Sequence, residues 1–201
     1  MPDRLGPPLA TPVFETVTLI GLGLIGSSLA RVIRKKNLAR QIIAVDASET
    51  VCARVKELGL ADHVTPHIAD GVKNADCVIL CVPVGACGPV AEAMRGSLKR
   101  GAIVSDVGSV KQHVIDAMRP HVPKGVHLIP GHPIAGTEHS GPASGFPELF
   151  INRWCILTPP EGTDKAAVEK LRAFWTAIGA NVETMSPEHH DLVLGITSHL
   201  P

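Results

Sequence analysis

Gly21, Gly23 and Gly26 stand in the spacing G-x-G-x-x-G, with Leu24 and Ile25 between the last two, and His132 stands in the segment Gly131-His132-Pro133-Ile134-Ala135-Gly136. The first set has the chemistry of a phosphate cradle. Its first glycine permits a tight turn, its second lets a pyrophosphate approach the backbone, and its third lets a helix pack closely on a strand. The N–H groups and positive dipole end of the following helix then face the phosphates. The second set puts an imidazole in what reads as a loop bracketed by glycine and proline. With a reference pKa of ~6.5, an imidazole there suits proton transfer near neutral pH. Together the two sets point to redox chemistry on a dinucleotide, with His132 as the acid/base.

Two further groups extend this reading. Asp46 lies 20 residues after Gly26, where a carboxylate accepts hydrogen bonds from ribose hydroxyls and repels a 2′-phosphate. Ala47 and Ser48 follow it rather than an arginine, which favours NAD over NADP. Ser109 lies in Ser105-Asp106-Val107-Gly108-Ser109-Val110-Lys111, between an apolar run and a helical pattern. Either Ser109 or Asp106 simply caps that helix, or Ser109 hydrogen-bonds both a substrate hydroxyl and His132. The simpler alternatives are a glycine turn without a cofactor and, at Asp46, a solvated acid ending a strand.

The elements that must position these residues alternate. Strand patterns cover 16–20, 41–45, 77–82, 102–105, 126–129, 154–158 and 181–184. Helical periods cover 24–36, 49–58, 84–98, 109–118 and 164–178, and a further helix begins at Pro187. The run 77–82 is apolar throughout, as in a parallel strand buried on both faces, and Pro83 ends it. Val82 and Pro83 are therefore expected beside the cofactor. The alternation predicts an α/β fold, a doubly wound parallel sheet of Rossmann type, with the loops that follow the strands along one ligand-binding edge. The expected divisions are a flexible leader at 1–14, the nucleotide-binding domain at 15–185, and the start of an incomplete helical domain at 186–201.

Composition narrows the function. Of 201 residues, 45% are hydrophobic and 19% charged, and Lys+Arg 19 balance Asp+Glu 19. No basic stripe with interleaved aromatics suggests nucleic acid, and no apolar run is long enough to span a membrane. Cys52, Cys77, Cys81, Cys87 and Cys155 contain no C-x-x-C pair and read as reduced, buried thiols of a cytoplasmic protein. His189-His190-Asp191 suggests a metal only weakly, because adjacent helical side chains point about 100° apart. No metal is expected.

The segments GLGLIGSS, VD, SDVGSVK, PGHPIAGTEHSG and HHDLVLGITSHLP, in that order, resemble the prephenate/arogenate (cyclohexadienyl) dehydrogenase family of tyrosine biosynthesis. The resemblance runs from about Val17 to Pro201. It implies NAD-dependent oxidative decarboxylation of a cyclohexadienol, in which the ring becomes aromatic. It implies that His132 takes the proton of the ring hydroxyl and that Ser109 orients the pair. Thr137 and Glu138 match positions near the substrate and second chain, and Ser198 and His199 match the start of a motif facing the cleft. Family members continue into helices that form a homodimer and carry an arginine for a substrate carboxylate. Beside this stand two other readings: a non-catalytic NAD-binding fragment, and a 3-hydroxyacid dehydrogenase, against which the GHPIAG segment argues.

Overall fold

The computed structural model describes residues 5–199, with 196–199 as backbone only. Its elements in order are β1 (Phe14–Ile20), α1 (Leu24–Lys36), β2 (Ala39–Val45), α2 (Glu49–Glu57), β3 (His63–Thr65), α3 (Ile68–Val72), β4 (Cys77–Leu80), α4 (Cys87–Met94), β5 (Ile103–Asp106), α5 (Lys111–Met118), β6 (His127–Leu128), β7 (Gly131–Pro133), β8 (Trp154–Leu157), α6 (Lys165–Ile178), β9 (Asn181–Thr184) and α7 (Pro187–His199). Strands β1 to β6 form one sheet in the order β3-β2-β1-β4-β5-β6, every pair parallel. That is the doubly wound arrangement, with strand order reversing between β1 and β4, and ligands bind outside the carboxyl ends of the strands at such a point.

Period-two alternation sends the central strands into two cores. Cys77 and Ile79 of β4 join one cluster with Val17, Leu29, Ile33, Phe174 and Trp175. Val78 and Leu80 join the other with Ile20, Val104, Val114 and Met118. Helices therefore cover both faces, and each fully buried Leu, Ile or Phe contributes roughly 1.5–3 kcal/mol. Helix α6 starts at Asp164, whose carboxylate accepts from Ala167 N (2.9 Å). It ends at Gly179, whose φ of 100° closes the last turn at a position only glycine adopts freely.

Besides β3 and α3, which lie where no element was expected, three features differ from the sequence expectation. Strands β8 and β9 do not extend the parallel sheet. With β7 they form a second, three-stranded sheet, β7 antiparallel and β9 parallel to β8. His132 consequently lies in a strand, paired with Ile156, and not in a loop. Helix α5 begins at Lys111 rather than Ser109, so Ser109 sits in the connection ahead of it.

The segment ahead of β1 also has partners. Leu5 is buried, and the buried Lys36 ammonium donates to the carbonyls of Leu5 (2.6 Å) and Pro7 (2.8 Å). Leu9 N donates to Lys36 O (2.9 Å). A buried ammonium requires acceptors, and these backbone carbonyls supply them. Among the described residues no helix is long and apolar enough to cross a membrane.

Candidate active site

The glycine loop leaves β1 at Gly21, whose φ is 93°. A Cβ there would lie 2.6 Å from Cys81 O, and one at Gly26 would lie 2.1 Å from Gly21 O. Both positions are sterically restricted to glycine. Gly23 differs, because a Cβ there would meet nothing within 4 Å. It borders open space and is the N-cap of α1. No side chain caps that helix and no acid stands in its first turn, so its leading amides are available to an anion. Leu24 and Ile25 are half-buried beside this space.

Asp46, at the end of β2, ties two loops together. Its Oδ2 accepts from Leu22 N (2.9 Å) and its Oδ1 from Ser48 N (3.0 Å). The open space at Gly23, the uncapped helix and the partly exposed carboxylate fit a dinucleotide's pyrophosphate and ribose. Val82 follows β4 and approaches Gly21, its Cγ1 3.0 Å from where a Cβ at Gly21 would lie. Pro83 is exposed beside it, on the same sheet edge.

His132 enters this edge from β7. Its strand is fixed to the end of β5 by a pair of buried charges. Asp106 and Lys111 form an ion pair with both side chains fully buried. Asp106 accepts from Gly108 N (2.7 Å) and Gly131 N (3.2 Å), and Lys111 Nζ donates to Gly131 O (2.7 Å). Both backbone groups of the residue before His132 are thus clamped. Burial pushes the Asp106 carboxyl up, against the pull of Lys111 and the two amides.

Among the described residues, the His132 ring has one side chain at hydrogen-bond distance. Its Nδ1 lies 2.9 Å from Nε2 of His190, on α7. His190 is fully buried, and its Nδ1 lies 2.8 Å from Asp191 Oδ1. Asp191 in turn accepts from Lys111 N (2.8 Å) and Gln112 N (2.9 Å), capping α5 from another helix. Burial would raise the Asp191 carboxyl, but those two amides and His190 hold it below the usual carboxylate range. Burial, with His190 and Lys111 nearby, pushes His132 down to about 4. The imidazole is therefore neutral at physiological pH, the form that accepts a proton.

The other expected residues are placed as follows. Ser109 is exposed, and among the described residues it and His132 are not hydrogen-bonded to each other. Thr137 and Glu138 lie in the exposed segment after β7. Thr137 Oγ1 accepts from His139 N (3.3 Å), and Glu138 faces the His139 ring (3.6 Å). Ser198 and His199 fall in the last turn of α7, where their side chains lie outside the described residues. Among the described residues no cluster of His, Cys, Asp or Glu could hold a metal ion. The cysteines are free, and burial raises the thiols of Cys77, Cys81, Cys87 and Cys155.

Sequence reasoning did not single out Lys111, Asp106, His190 or Asp191 for the site. The available signals were an acid and a lysine five residues apart after a buried strand, and a histidine–aspartate pair opening an apolar helix.

A family profile described as "Prephenate dehydrogenase, nucleotide-binding domain" matches residues 29–184. The chain is 46% identical to a cyclohexadienyl dehydrogenase of Zymomonas mobilis over 189 residues, covering 94% of this chain and 64% of the relative. It is 38% identical to a prephenate dehydrogenase of Bacillus subtilis, covering 93% of this chain and 51% of the relative. The chain thus spans half to two thirds of the length of these curated relatives. The crystal structure of a prephenate dehydrogenase of Aquifex aeolicus, in complex with hydroxyphenyl propionate and NAD+, superposes with a TM-score of 0.85 at 32% identity, covering 95% of this chain and 65% of that one.

Proposed function

Because the chain belongs to the prephenate dehydrogenase family, as its nucleotide-binding domain, we propose that it supplies the NAD site and the proton acceptor for oxidative decarboxylation of prephenate, arogenate or both. NAD, when bound, accepts a hydride from the ring carbon that carries the hydroxyl. In this reading His132 takes the hydroxyl proton, carbon dioxide leaves from the ring carboxylate, and the ring becomes aromatic. Gly21, Gly23 and Gly26 with the amides of α1 hold the pyrophosphate, and Asp46 holds the adenosine ribose. Ser109, exposed at the same edge, contacts the substrate hydroxyl. Thr137 and Glu138 read as polar contacts on the substrate side, and Ser198 and His199 as cleft residues. The name of the Zymomonas relative supports a substrate defined by its cyclohexadienyl ring. A cytoplasmic homodimer, paired through a helical portion, is part of the same proposal.

The observation that carries this reading is His132 itself. A neutral imidazole stands at the carboxyl edge of a dinucleotide-type sheet, on a strand whose backbone is clamped to β5. Since aromatisation drives the step, the protein mainly has to position and polarise.

The test is turnover of the full-length protein, followed by the ultraviolet absorbance of reduced nicotinamide, with prephenate and with arogenate. The expected outcome is turnover on one or both, and a loss of about 10²–10⁴-fold in His132→Asn. Full activity in that variant would remove His132 from the chemistry. NAD binding without turnover on either substrate would instead favour a non-catalytic nucleotide-binding module.

A further inference from the structure

With a single proton on the His190 ring, the chain from His132 through His190 to Asp191 admits one arrangement of protons. Asp191 is an acceptor, since it takes backbone N–H groups from Lys111 and Gln112 on its two oxygens. His190 Nδ1, 2.8 Å from Asp191 Oδ1, therefore carries a proton and donates. With that one proton on Nδ1, His190 has its lone pair at Nε2, 2.9 Å from His132 Nδ1, so His132 Nδ1 donates in turn. The lone pair of His132 is left on Nε2, the nitrogen that no described residue engages.

We propose that His190 and Asp191 are positioning residues for His132, which fix the tautomer that presents Nε2 to a substrate hydroxyl and stabilise the imidazolium formed when that proton arrives. The proposal rests on the reading of His132 as the proton acceptor. The balance is simple: the substrate O–H bond breaks, an N–H bond forms at His132 Nε2, and the positive charge that results is met through His190 by Asp191. A hydrogen bond from a charged donor is about twice as strong as a neutral one, so the contact to His190 tightens as the proton moves.

Among the described residues, a small set of charged and titratable groups surrounds His132. His190 and Asp191 face it from α7, and Lys111 from α5, with Asp106 at the end of β5 pairing Lys111. Lys111 opposes a charge on His132, and Asp191 favours it. The same carboxylate caps α5, so a single side chain holds both the helix that carries Lys111 and the ring that orients His132. Helix α7 thereby completes the site of the nucleotide-binding sheet.

Two measurements on the full-length protein test this. The first needs no variant: nitrogen-15 NMR of the imidazoles at neutral pH. His132 protonated on Nδ1 and bare on Nε2 is the expected result, and the opposite tautomer overturns the proposal. The second compares Asp191→Asn and His190→Gln with wild type and with His132→Asn. Each positioning variant is expected to lower kcat about tenfold or more, with NAD affinity unchanged. In Asp191→Asn the acid limb of kcat/KM is expected to move to lower pH, because the carboxylate that favours charge on His132 is gone. If His132→Asn is inactive while both positioning variants keep the wild-type kcat and pH profile, the proposal fails and the base assignment stands. If His132→Asn is fully active, the base assignment fails and takes the proposal with it.

Discussion

Lys111 and Asp106 show what single residues must do to hold the strand that carries His132. Each is fully buried, so each depends on the other to offset desolvation, and both also hold Gly131. Breaking such a pair by removing one partner typically costs about 3–5 kcal/mol, because the other charge stays buried. Lys111→Met is therefore expected to destabilise the protein by about that amount, measured as a fall in unfolding free energy in urea. Adding Asp106→Asn should restore part of the loss, since the orphaned carboxylate is removed. A single variant as stable as wild type would mean that Gly131 is held by something other than this pair. Of the residues brought together here, His132 was singled out from its segment, although the glycine and proline around it suggested a loop where the structure has a strand. The roles of Lys111, His190 and Asp191 were not legible, because each also depends on a partner distant in sequence. His190 meets His132 across 58 positions, and Asp191 meets Lys111 across 80.

At the scale of elements, β1, the glycine turn and α1 were readable as a unit, because periodicity and turn chemistry act over a few residues. The doubly wound parallel sheet followed from the same local alternation, although its three-residue edge strand β3 did not. Strands β7 and β9 escaped correct placement for the opposite reason. They are short, three and four residues, and only pairing with β8 decides their sheet. Two glycine substitutions separate the work done inside the turn. Gly26→Ala puts a Cβ 2.1 Å from Gly21 O, so α1 must shift off β1, a strain of about 1–3 kcal/mol. Beyond its chain neighbours, the Cβ of Gly23→Ala meets no described atom within 4 Å, and its backbone (φ −74°) lies outside the left-handed region. It is expected to leave the melting temperature near wild type while weakening NAD binding by about tenfold or more, or 1.4 kcal/mol. Calorimetric titration with NAD and a thermal melt on the same samples read the two effects apart. Unchanged NAD affinity in Gly23→Ala would mean that the pyrophosphate does not pass over that backbone.

For the molecule as a whole, the joining of α7 to the sheet makes the site part of the stability of the fold and gives that stability a pH dependence. His132 is held down to about 4 in the folded protein against ~6.5 in an unfolded chain. Between those values the unfolded state binds a proton that the folded state rejects, so stability falls as pH is lowered through that window and recovers as pH rises. The carboxylates act lower. Asp191 is held below its ordinary value despite its burial, and so is Asp76, by Lys99 and the Thr16 amide. Their contribution is present above the ordinary carboxylate range and is lost as pH drops below it toward their lowered folded values. The two sources separate by window and by variant. Wild type should lose stability on going from about pH 7 to about pH 4.5, and His132→Gln should lose less over the same interval, so the difference between them should change steadily as acid is added. Urea unfolding at a series of pH values measures it. Parallel curves would show that the folded protein does not resist protonation of His132, and that the contact with His190 forms as readily to a charged ring as to a neutral one.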